Sequence, residues 1–311
     1  MNGYLVQTVR QIARGELGTQ TPVPTSTEFQ YLAGEINAMS RSLAHAEHQR
    51  HHQLARAKRI QEHLRPQPAA VEGLRLAMLA EPASEVGGDH HDLIRLPDGS
   101  WLVFLADVTG HGVPAAMGAA ILKALLAAVG DAETDPATIL QRINRRFHHV
   151  TLDEDFASAI VLRWVPDQGR LEYASAGHET AYLLGHDDEL RELTSTGLLL
   201  GVDPEARWQS HELPLRAGDR LVLYTDGLTE APSPAGALFG RARLRQTLLE
   251  AAAGDAESLS QHLQAALADH RQEVPARDDL TMMVLEALVP QTKATPQPAV
   301  TRGLSTAAAA R

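Results

Sequence analysis

The chain of 311 residues is long enough for one large domain with a smaller module beside it. Its net charge of −11 at pH 7 argues against a nucleic-acid or anionic-membrane surface, since both require concentrated positive charge. Cysteine is absent, which excludes disulfides, thiol chemistry and thiolate zinc sites.

The first 68 residues are polar and helical in pattern, with almost no strand signal. Between Glu28 and Leu64 apolar residues recur at a spacing near 3.5, which is typical of a coiled-coil seam. Pro66 follows the end of this segment. We therefore predict a helix of about 37 residues, roughly 55 Å long, that pairs with a second copy to form a homodimer. The seam residues are Leu32, Ile36, Met39, Leu43, Ala46, Ala57, Ile60 and Leu64, and Arg50 and Gln53 interrupt them.

Residues 69–289 contain both strand-like runs and helical patterns. Two pairs of helices interrupt a mostly antiparallel set of strands, which favours an α+β fold over strict βαβ alternation. Pro166-Asp-Gln-Gly169 predicts a hairpin turn. The predicted strands are Leu74–Ala80, Trp101–Val108, Phe156–Trp164, Leu171–Ala176, Ala181–Leu184, Trp208–Leu213, Arg220–Thr225 and Leu280–Leu288. The predicted helices are Pro114–Val129, Pro136–Val150, Arg241–Ala253 and Glu257–His270.

The most apolar helical window is Ala115–Val129. It is shorter than the roughly 18 to 20 residues that a membrane span needs, and it contains Lys123. The first residues lack the basic and apolar segments of a signal peptide. We therefore expect a soluble chain without a membrane span. Residues 290–311 are rich in Thr, Pro and Ala and predict a disordered tail.

Four aspartates lie in four separate motifs, each at the end of an apolar run or beside one. Strands formed by these runs would bring the carboxylates to a common edge. Converging carboxylates raise each other's pKa values, so they all stay ionised only with cations among them. Oxygen ligands suit Mg²⁺ or Mn²⁺, and the pattern therefore predicts a di-metal hydrolase. The motifs are Val86-Gly-Gly-Asp89, Asp107-Val-Thr-Gly-His-Gly112, Tyr224-Thr-Asp-Gly-Leu-Thr-Glu230 and Asp278-Asp-Leu-Thr281.

Each motif also has a purely structural interpretation when it is taken alone. Asp226-Gly227 is typical of a turn. Asp107 ends a strand-like run ahead of a helical one, where aspartate often caps the helix. The combination of all four motifs favours the metal interpretation over these local ones.

Together with Ala174-Ser-Ala-Gly-His178 and Gly201-Val202, these motifs follow the order found in PPM-type metal-dependent serine/threonine protein phosphatases, also called type 2C phosphatases. Over about residues 70–288 the chain resembles their SpoIIE/RsbU-like bacterial branch. Each motif is weak alone, whereas six in order form a specific pattern. The resemblance implies a four-layer αββα sandwich over residues 69–289, preceded by the long N-terminal helix.

The resemblance also implies two Mn²⁺ or Mg²⁺ ions at one end of the sandwich. Asp107 would bridge both ions, and the backbone carbonyl of Val108 would add a ligand. Asp89 would hold one ion, and Asp226 and Asp278 would hold the other. Two such ions activate a bridging water and clamp the phosphoryl oxygens, so the protein needs no nucleophile of its own.

Several nearby residues have open roles. His111 would protonate the leaving alcohol, or it would only line its glycine-rich turn. Asp279 would orient Asp278 or contact a further ion. The sequence departs from the family at His90 and His91, where an aromatic pair is usual. Both histidines would tune metal access or act as acids, or they would pack at the surface, which is the interpretation we favour.

Residues 1–44 resemble the later part of a HAMP signal-relay module, and residues 45–68 form the linker or coiled-coil helix that follows. The pattern rests on Ile12-Ala-Arg-Gly-Glu-Leu17, Glu28 and Asn37-Ala-Met39. A simple dimerising helical arm is the alternative. Because no membrane span is predicted, we expect a cytoplasmic protein. HAMP modules normally follow a membrane helix, so the protein would be membrane-associated if the chain is a fragment of a HAMP-containing receptor.

The predicted function is hydrolysis of phosphoserine or phosphothreonine on a protein in bacterial signalling. By resemblance, the substrate is a STAS-domain anti-sigma-factor antagonist. The alternative is a catalytically silent adaptor that relays the state of the HAMP-like region or of a partner. The four intact aspartates argue against the adaptor, because a pseudoenzyme would be free to lose them.

Overall fold

The computed structural model describes residues 2–22, 27–66, 70–130, 132–186, 189–251 and 253–288. The predicted disordered tail, residues 290–311, lies outside these ranges. The helices are α1 (Asn2–Ala13), α2 (Thr27–Leu64), α3 (Val113–Gly130), α4 (Pro136–Val150), α5 (Asp226–Thr229), α6 (Gly240–Glu250) and α7 (Ala256–Arg271). The strands are β1 (Leu74–Glu81), β2 (Asp89–Arg95), β3 (Trp101–Val108), β4 (Ala157–Val165), β5 (Arg170–Ala176), β6 (Ala181–Leu184), β7 (Leu190–Leu193), β8 (His211–Pro214), β9 (Arg220–Tyr224) and β10 (Leu280–Ala287).

These strands form two antiparallel sheets of five strands each. Sheet A has the order β1-β10-β9-β6-β7, and sheet B has the order β2-β3-β4-β5-β8. The inner faces of the sheets enclose one apolar core, which includes Leu162, Leu223 and Leu285. Helices α3 and α4 cover the outer face of sheet B, and α6 and α7 cover the outer face of sheet A. The predicted αββα sandwich is therefore confirmed.

Strand β3 divides its side chains between the two faces of sheet B. Phe104 and Ala106 pack under α3 and α4, whereas Val103 and Leu105 pack between the sheets. A strand that is buried on both faces has a continuous apolar sequence, which is why its predicted and observed bounds coincide. Asp107 continues the inner row, so its carboxylate lies at the end of the space between the sheets.

The sequence analysis missed β2 and β7. Asp89-His-His-Asp92 gives β2 no apolar run, yet the strand pairs with β3 along its whole length and places Asp89 opposite Asp107. Pairing with a buried neighbour thus overrides the local propensity. Strand β8 begins at His211 rather than at the predicted Trp208, because Trp208 belongs to the core beneath α4.

Helix α3 is long and apolar enough to cross a membrane by length and composition, with a mean hydropathy of 1.8 over 18 residues. In the structure it covers sheet B and packs against α4. Ala119, Leu122, Leu126 and Val129 of its buried face join the core cluster there. Core packing therefore explains its composition, and within the described ranges no other helix meets that test.

The N-terminal helices form a packed pair. Leu5 and Ile12 of α1 are buried, and so is Ala33 of α2. The Asn37 side chain fixes the connector between the helices, since its Oδ1 accepts from the Thr21 amide at 2.7 Å and its Nδ2 donates to the Thr21 carbonyl at 3.0 Å. The helix–connector–helix arrangement is compatible with the HAMP-like assignment, which stays a prediction.

The long second helix was predicted correctly, since α2 runs unbroken over 38 residues. Several seam residues remain open to solvent in a single chain: Met39 is 46% exposed, Leu43 42% and Ile60 56%. Ala57 and Leu64 are instead partly buried, at the end of α2 that approaches the sandwich. Pairing of two copies through this seam stays a prediction.

Candidate metal centre

The four predicted aspartates lie at one end of the sandwich, two from each sheet. Asp89 begins β2 and faces Asp107 across the β2–β3 pair of sheet B. Asp226 directly follows Thr225 at the end of β9 and begins the single turn of α5. Asp278 lies just ahead of β10, which is the neighbour of β9 in sheet A. The strand register of both sheets therefore brings these carboxylates to the same edge.

The electrostatics of Asp107 place it at the centre of this group. Burial and, in decreasing order, the negative charges of Asp89, Asp226, Asp278 and Asp279 together raise its pKa to about 8. Each of these carboxylates is therefore close enough to oppose ionisation of Asp107. A strongly raised carboxyl pKa at the end of a fold is typical of a functional site.

Asp89 and Asp226 show the same effect. Burial raises the pKa of Asp89 to about 7, with smaller contributions from Asp279 and Asp226. Burial also raises the pKa of Asp226 to about 6, and the charges of Asp278 and Glu230 add to it. At neutral pH the group cannot carry its full negative charge at low cost unless positive charge is present.

The donor set fits a hard divalent cation. Asp89 Oδ1 is buried and has no hydrogen-bond partner among the described residues, which leaves a carboxylate oxygen available as a ligand. Carboxylate and carbonyl oxygens are the ligands that Mg²⁺ and Mn²⁺ prefer. Within the described ranges no group of three or more acidic or histidine side chains is already placed to hold a metal ion, so the fit rests on the type of these donors and on the free Asp89 oxygen.

The two glycines before Asp89 make room for the centre. A Cβ atom on Gly88 would lie 2.6 Å from the carbonyl oxygen of Val108, and one on Gly87 would lie 2.2 Å from Asp279 Oδ2. Both distances are too short for a side chain, so only glycine permits this approach. The Val108 carbonyl predicted as a ligand thus lies directly against the loop that delivers Asp89.

Asp279 supports this loop. Its carboxylate is buried and accepts hydrogen bonds from the amides of Gly88 at 2.6 Å and Ala83 at 2.8 Å. Its own amide donates to Asp278 Oδ1 at 2.8 Å. Of the two roles left open by the sequence, these contacts favour orientation of Asp278 and of the glycine loop.

His90 and His91 are buried, with 6% and 5% exposure, so their interpretation as surface residues was wrong. Because side chains alternate along β2, His90 and Asp92 share the face toward α3, where Lys123 forms an ion pair with Asp92. His91 shares the face of Asp89, and burial lowers its pKa to about 4. Local polarity misled the sequence analysis, since strand pairing buries both imidazoles.

The motif that ends in His178 has a structural role beside the centre. His178 is buried, and its Nδ1 lies 2.7 Å from Ser158 Oγ. Ser158 is the β4 residue paired with Asp107. Burial lowers the pKa of His178 to about 3, so the ring is neutral at physiological pH. The pair braces the strand next to the central carboxylate.

His111 lies apart from this buried group. It is exposed and lines a cleft of about 580 Å³ between α2 and the loops on either side of the centre. Leu54 and Lys58 of α2 form the opposite wall, and Val86 lies on the loop that leads to Asp89. The structure thus places His111 on the wall of this cleft, whose lining residues include none of the four aspartates.

Gln61 near the end of α2 is a contact residue that the sequence analysis did not identify. Its Nε2 donates to the Gly87 carbonyl at 2.6 Å, and its Oε1 accepts from the Gly87 amide at 3.2 Å. The side-chain amide thus pairs with the backbone as a neighbouring strand would. The only sequence signal was its position just ahead of the first strand. Helix α2 therefore contacts the glycine loop of the metal centre directly.

The fold and this carboxylate edge together define a metal-dependent phosphatase domain of the PP2C class. The chain belongs to the family of Stage II sporulation protein E (SpoIIE), whose model matches residues 97–288. It is similar to the phosphoserine phosphatase RsbU of Bacillus subtilis, with 26% identity over 219 residues that cover 70% of this chain and 64% of that protein. The chain thus spans less than two thirds of the length of this relative.

Solved structures share the architecture. The SiaA-PP2C domain of Pseudomonas aeruginosa has a TM-score of 0.67 and 26% identity, covering 78% of this chain and 98% of that one. The catalytic domain of the serine/threonine phosphatase PstP, solved with two manganese ions, has a TM-score of 0.52 and 19% identity. It covers 70% of this chain and 99% of its own, and at this identity it supports the fold alone.

Proposed function

We propose that this chain is a metal-dependent protein phosphatase that hydrolyses phosphoserine or phosphothreonine. The convergence of half-buried Asp89, Asp107 and Asp226 and exposed Asp278 from two sheets on one electrostatically coupled edge carries the proposal. By analogy with PstP, a protein of the same fold solved with two manganese ions, we extend the proposal to a two-ion centre.

In this mechanism Asp107, which lies between the sheets, would present its carboxylate to both ions, and the Val108 carbonyl would add an oxygen. Asp89 would hold one ion, and Asp226 and Asp278 would hold the other. When bound, two Mn²⁺ or Mg²⁺ ions supply an activated water and positive charge for the phosphoryl oxygens.

The water oxygen forms the new bond to phosphorus, and the bond from phosphorus to the seryl or threonyl oxygen breaks. The departing oxygen needs a proton, and we assign the donor role to His111. Its exposed position at the mouth of the cleft supports this role, since the leaving side chain remains attached to a protein.

We further propose that the substrate is a STAS-domain anti-sigma-factor antagonist in the bacterial cytoplasm. This step rests on the likeness to the phosphoserine phosphatase RsbU. The open cleft beside His111 suits a loop of a folded protein better than a small metabolite, because it is wide and only partly enclosed.

Regulation is proposed to pass through α2. Two copies would pair through the exposed apolar seam that includes Met39 and Ile60, and the pair would set the position of Gln61 on the glycine loop. Such a helix acts as a switch only if its two arrangements differ in metal affinity. The Gln61 contact would let α2 affect the position of Asp89, since Gly87 is two residues from Asp89.

Manganese-dependent hydrolysis of p-nitrophenyl phosphate by the purified chain tests the catalytic proposal. We expect turnover that requires Mn²⁺ or Mg²⁺, stops with EDTA and is unaffected by thiol-alkylating reagents. A folded, metal-binding chain with no turnover on this substrate or on phosphoproteins would instead support the silent-adaptor alternative.

The substrate proposal needs a separate experiment. The chain is incubated with phosphorylated STAS-domain proteins from the same genome, and phosphate release is compared with that from a phosphoserine peptide of unrelated sequence. We expect one STAS protein to be dephosphorylated at least about 10-fold faster, equivalent to ~1.4 kcal/mol of discrimination. Equal rates for all substrates would contradict the assignment.

A further inference from the structure

Two threonines in the aspartate motifs have no role in the mechanism above, and the structure brings both to Asp89. Thr225 precedes Asp226, and Thr281 ends the Asp278-Asp-Leu-Thr281 motif. Both are buried, with 0% and 2% exposure. A buried hydroxyl needs hydrogen-bond partners, so the contacts of these residues indicate what they do.

Thr225 joins the two sheets. Its Oγ1 donates to Asp89 Oδ2 at 2.8 Å and accepts from the Thr281 amide at 2.9 Å. Thr225 and Thr281 belong to the sheet A side of the sandwich, whereas Asp89 begins β2 of sheet B. The bond therefore crosses the gap between the sheets at the metal edge. Thr281 takes part in this arrangement through its backbone amide.

The two oxygens of Asp89 are in different situations. Oδ2 accepts from Thr225, whereas Oδ1 is buried without a partner among the described residues. A carboxylate with one oxygen held by a hydroxyl donor cannot rotate freely about its terminal torsion. The free oxygen then keeps one direction, which is the condition for a well-placed metal ligand.

We propose that Thr225, itself held by the Thr281 amide, is a positioning residue that clamps Asp89 from the opposite sheet and directs its Oδ1 toward the metal. This inference rests on the proposed metal centre. The clamp also makes the geometry of the centre depend on how the two sheets are set against each other, because its donor and its acceptor lie on different sheets.

The clamp is specific to a hydroxyl. Valine has nearly the shape of threonine but cannot donate to Asp89, and it also leaves the Thr281 amide without its acceptor. Serine keeps the donor and the acceptor while losing a methyl group. Thr225→Val and Thr225→Ser therefore separate the hydrogen bond from the packing.

The experiment measures Mn²⁺ binding to the full chain by isothermal titration calorimetry, together with p-nitrophenyl phosphate turnover. We expect Thr225→Val to weaken Mn²⁺ binding by about 10- to 100-fold, the usual effect of removing a group that orients a metal ligand. Thr225→Ser should restore binding to within about threefold of wild type. Thr225→Ala, which removes the same hydroxyl from a smaller side chain, provides a second test if Thr225→Val does not fold by circular dichroism.

Thr247→Val is the matched control for loss of a buried threonine bond. Thr247 is buried in α6, and its Oγ1 donates to the Arg243 carbonyl at 2.9 Å. This variant should lose thermal stability but keep wild-type Mn²⁺ affinity. Wild-type affinity in Thr225→Val, or equally weak binding in Thr225→Ser, would overturn the clamp. A wild-type chain that binds Mn²⁺ without turnover would refute the phosphatase proposal and leave the clamp standing. Failure of the wild type to bind Mn²⁺ would refute both.

Discussion

The metal edge of the sandwich and helix α2 hold their functional side chains in different ways. At the metal edge, Asp89 and Asp107 are held by strand pairing, and Asp279 and Thr225 hold the intervening loops through hydrogen bonds within one chain. Along α2, by contrast, Ile60, Met39 and Leu43 are 56%, 46% and 42% exposed in a single chain.

The difference indicates where rigidity and control lie. The carboxylate edge is determined by a sandwich that one chain completes, so its chemistry is local. Helix α2 reaches that edge mainly through Gln61 and leaves an apolar stripe unsatisfied. A second copy or another partner that covers the stripe can therefore act on the centre without touching it.

The largest expected effect comes from the metal edge itself. Asp107→Asn and Asp226→Asn each remove a ligand charge with little change of volume. We expect at least a 10²-fold loss of Mn²⁺-dependent turnover with an intact circular dichroism spectrum, because the two-ion centre is dismantled. Retention of more than about a tenth of the wild-type rate would contradict the assignment. Asp269→Asn, an exposed substitution on α7, is the control and should keep full activity.

The next effect concerns the seam. Ile60→Asp would place a charge in the paired interface, which opposes dimerisation by several kcal/mol before relaxation. We expect a monomer by light scattering, and deletion of residues 1–65 should give the same result with weaker apparent Mn²⁺ affinity. Ala55→Asp, exposed on the opposite side of α2, should stay dimeric. A truncated chain that remains dimeric with unchanged manganese dependence would make α2 a passive tether.

A smaller effect is expected at the contact between the two regions. Gln61→Ala removes two hydrogen bonds to Gly87, each worth about 1 kcal/mol. We expect the apparent Mn²⁺ affinity to fall about 3- to 30-fold, with turnover at saturating Mn²⁺ close to wild type. Glu62→Gln, one residue away and exposed, is the control. An unchanged manganese titration for Gln61→Ala would show that the contact does not influence the centre.

The sequence was sufficient for the parts of the molecule with strong local signals. The buried strand β3 and the uninterrupted helix α2 were predicted with nearly their observed bounds, because apolar periodicity identifies such elements. The ordered aspartate motifs predicted a common edge, which the structure forms.

Other features depend on partners that are distant in sequence. Strand β2 and its buried histidines follow from pairing with β3, and a polar segment carries no sign of such pairing. The roles of Gln61, Thr225 and Asp279 depend on contacts with loops many residues away. Single-sequence reasoning identifies the residue types in a motif but not the side chain that orients them.

The smallest expected effect is a difference in how folding stability depends on pH, between the metal-free protein and the protein with bound Mn²⁺. In the metal-free fold the pKa of Asp107 is about 8 and that of Asp89 about 7, whereas the unfolded value is about 3.9. The folded state therefore holds protons that the unfolded state has released between about pH 4 and 8. Its stability is greatest at the acidic end of this window and declines as pH rises through the folded pKa values. Bound Mn²⁺ replaces those protons, so its affinity should rise with pH over the same interval.

Thermal melts in EDTA between pH 5.5 and 8.5, at constant ionic strength, measure this decline. Each carboxyl contributes at most about 1.4 kcal/mol per pH unit, which corresponds to roughly 2–4 °C for a domain of this size. Saturating Mn²⁺ should flatten or reverse the trend, and Asp107→Asn should reduce it in EDTA because the most strongly shifted group is gone. A melting temperature in EDTA that rises with pH across the whole range would mean that the carboxylates are less closely coupled than the structure indicates.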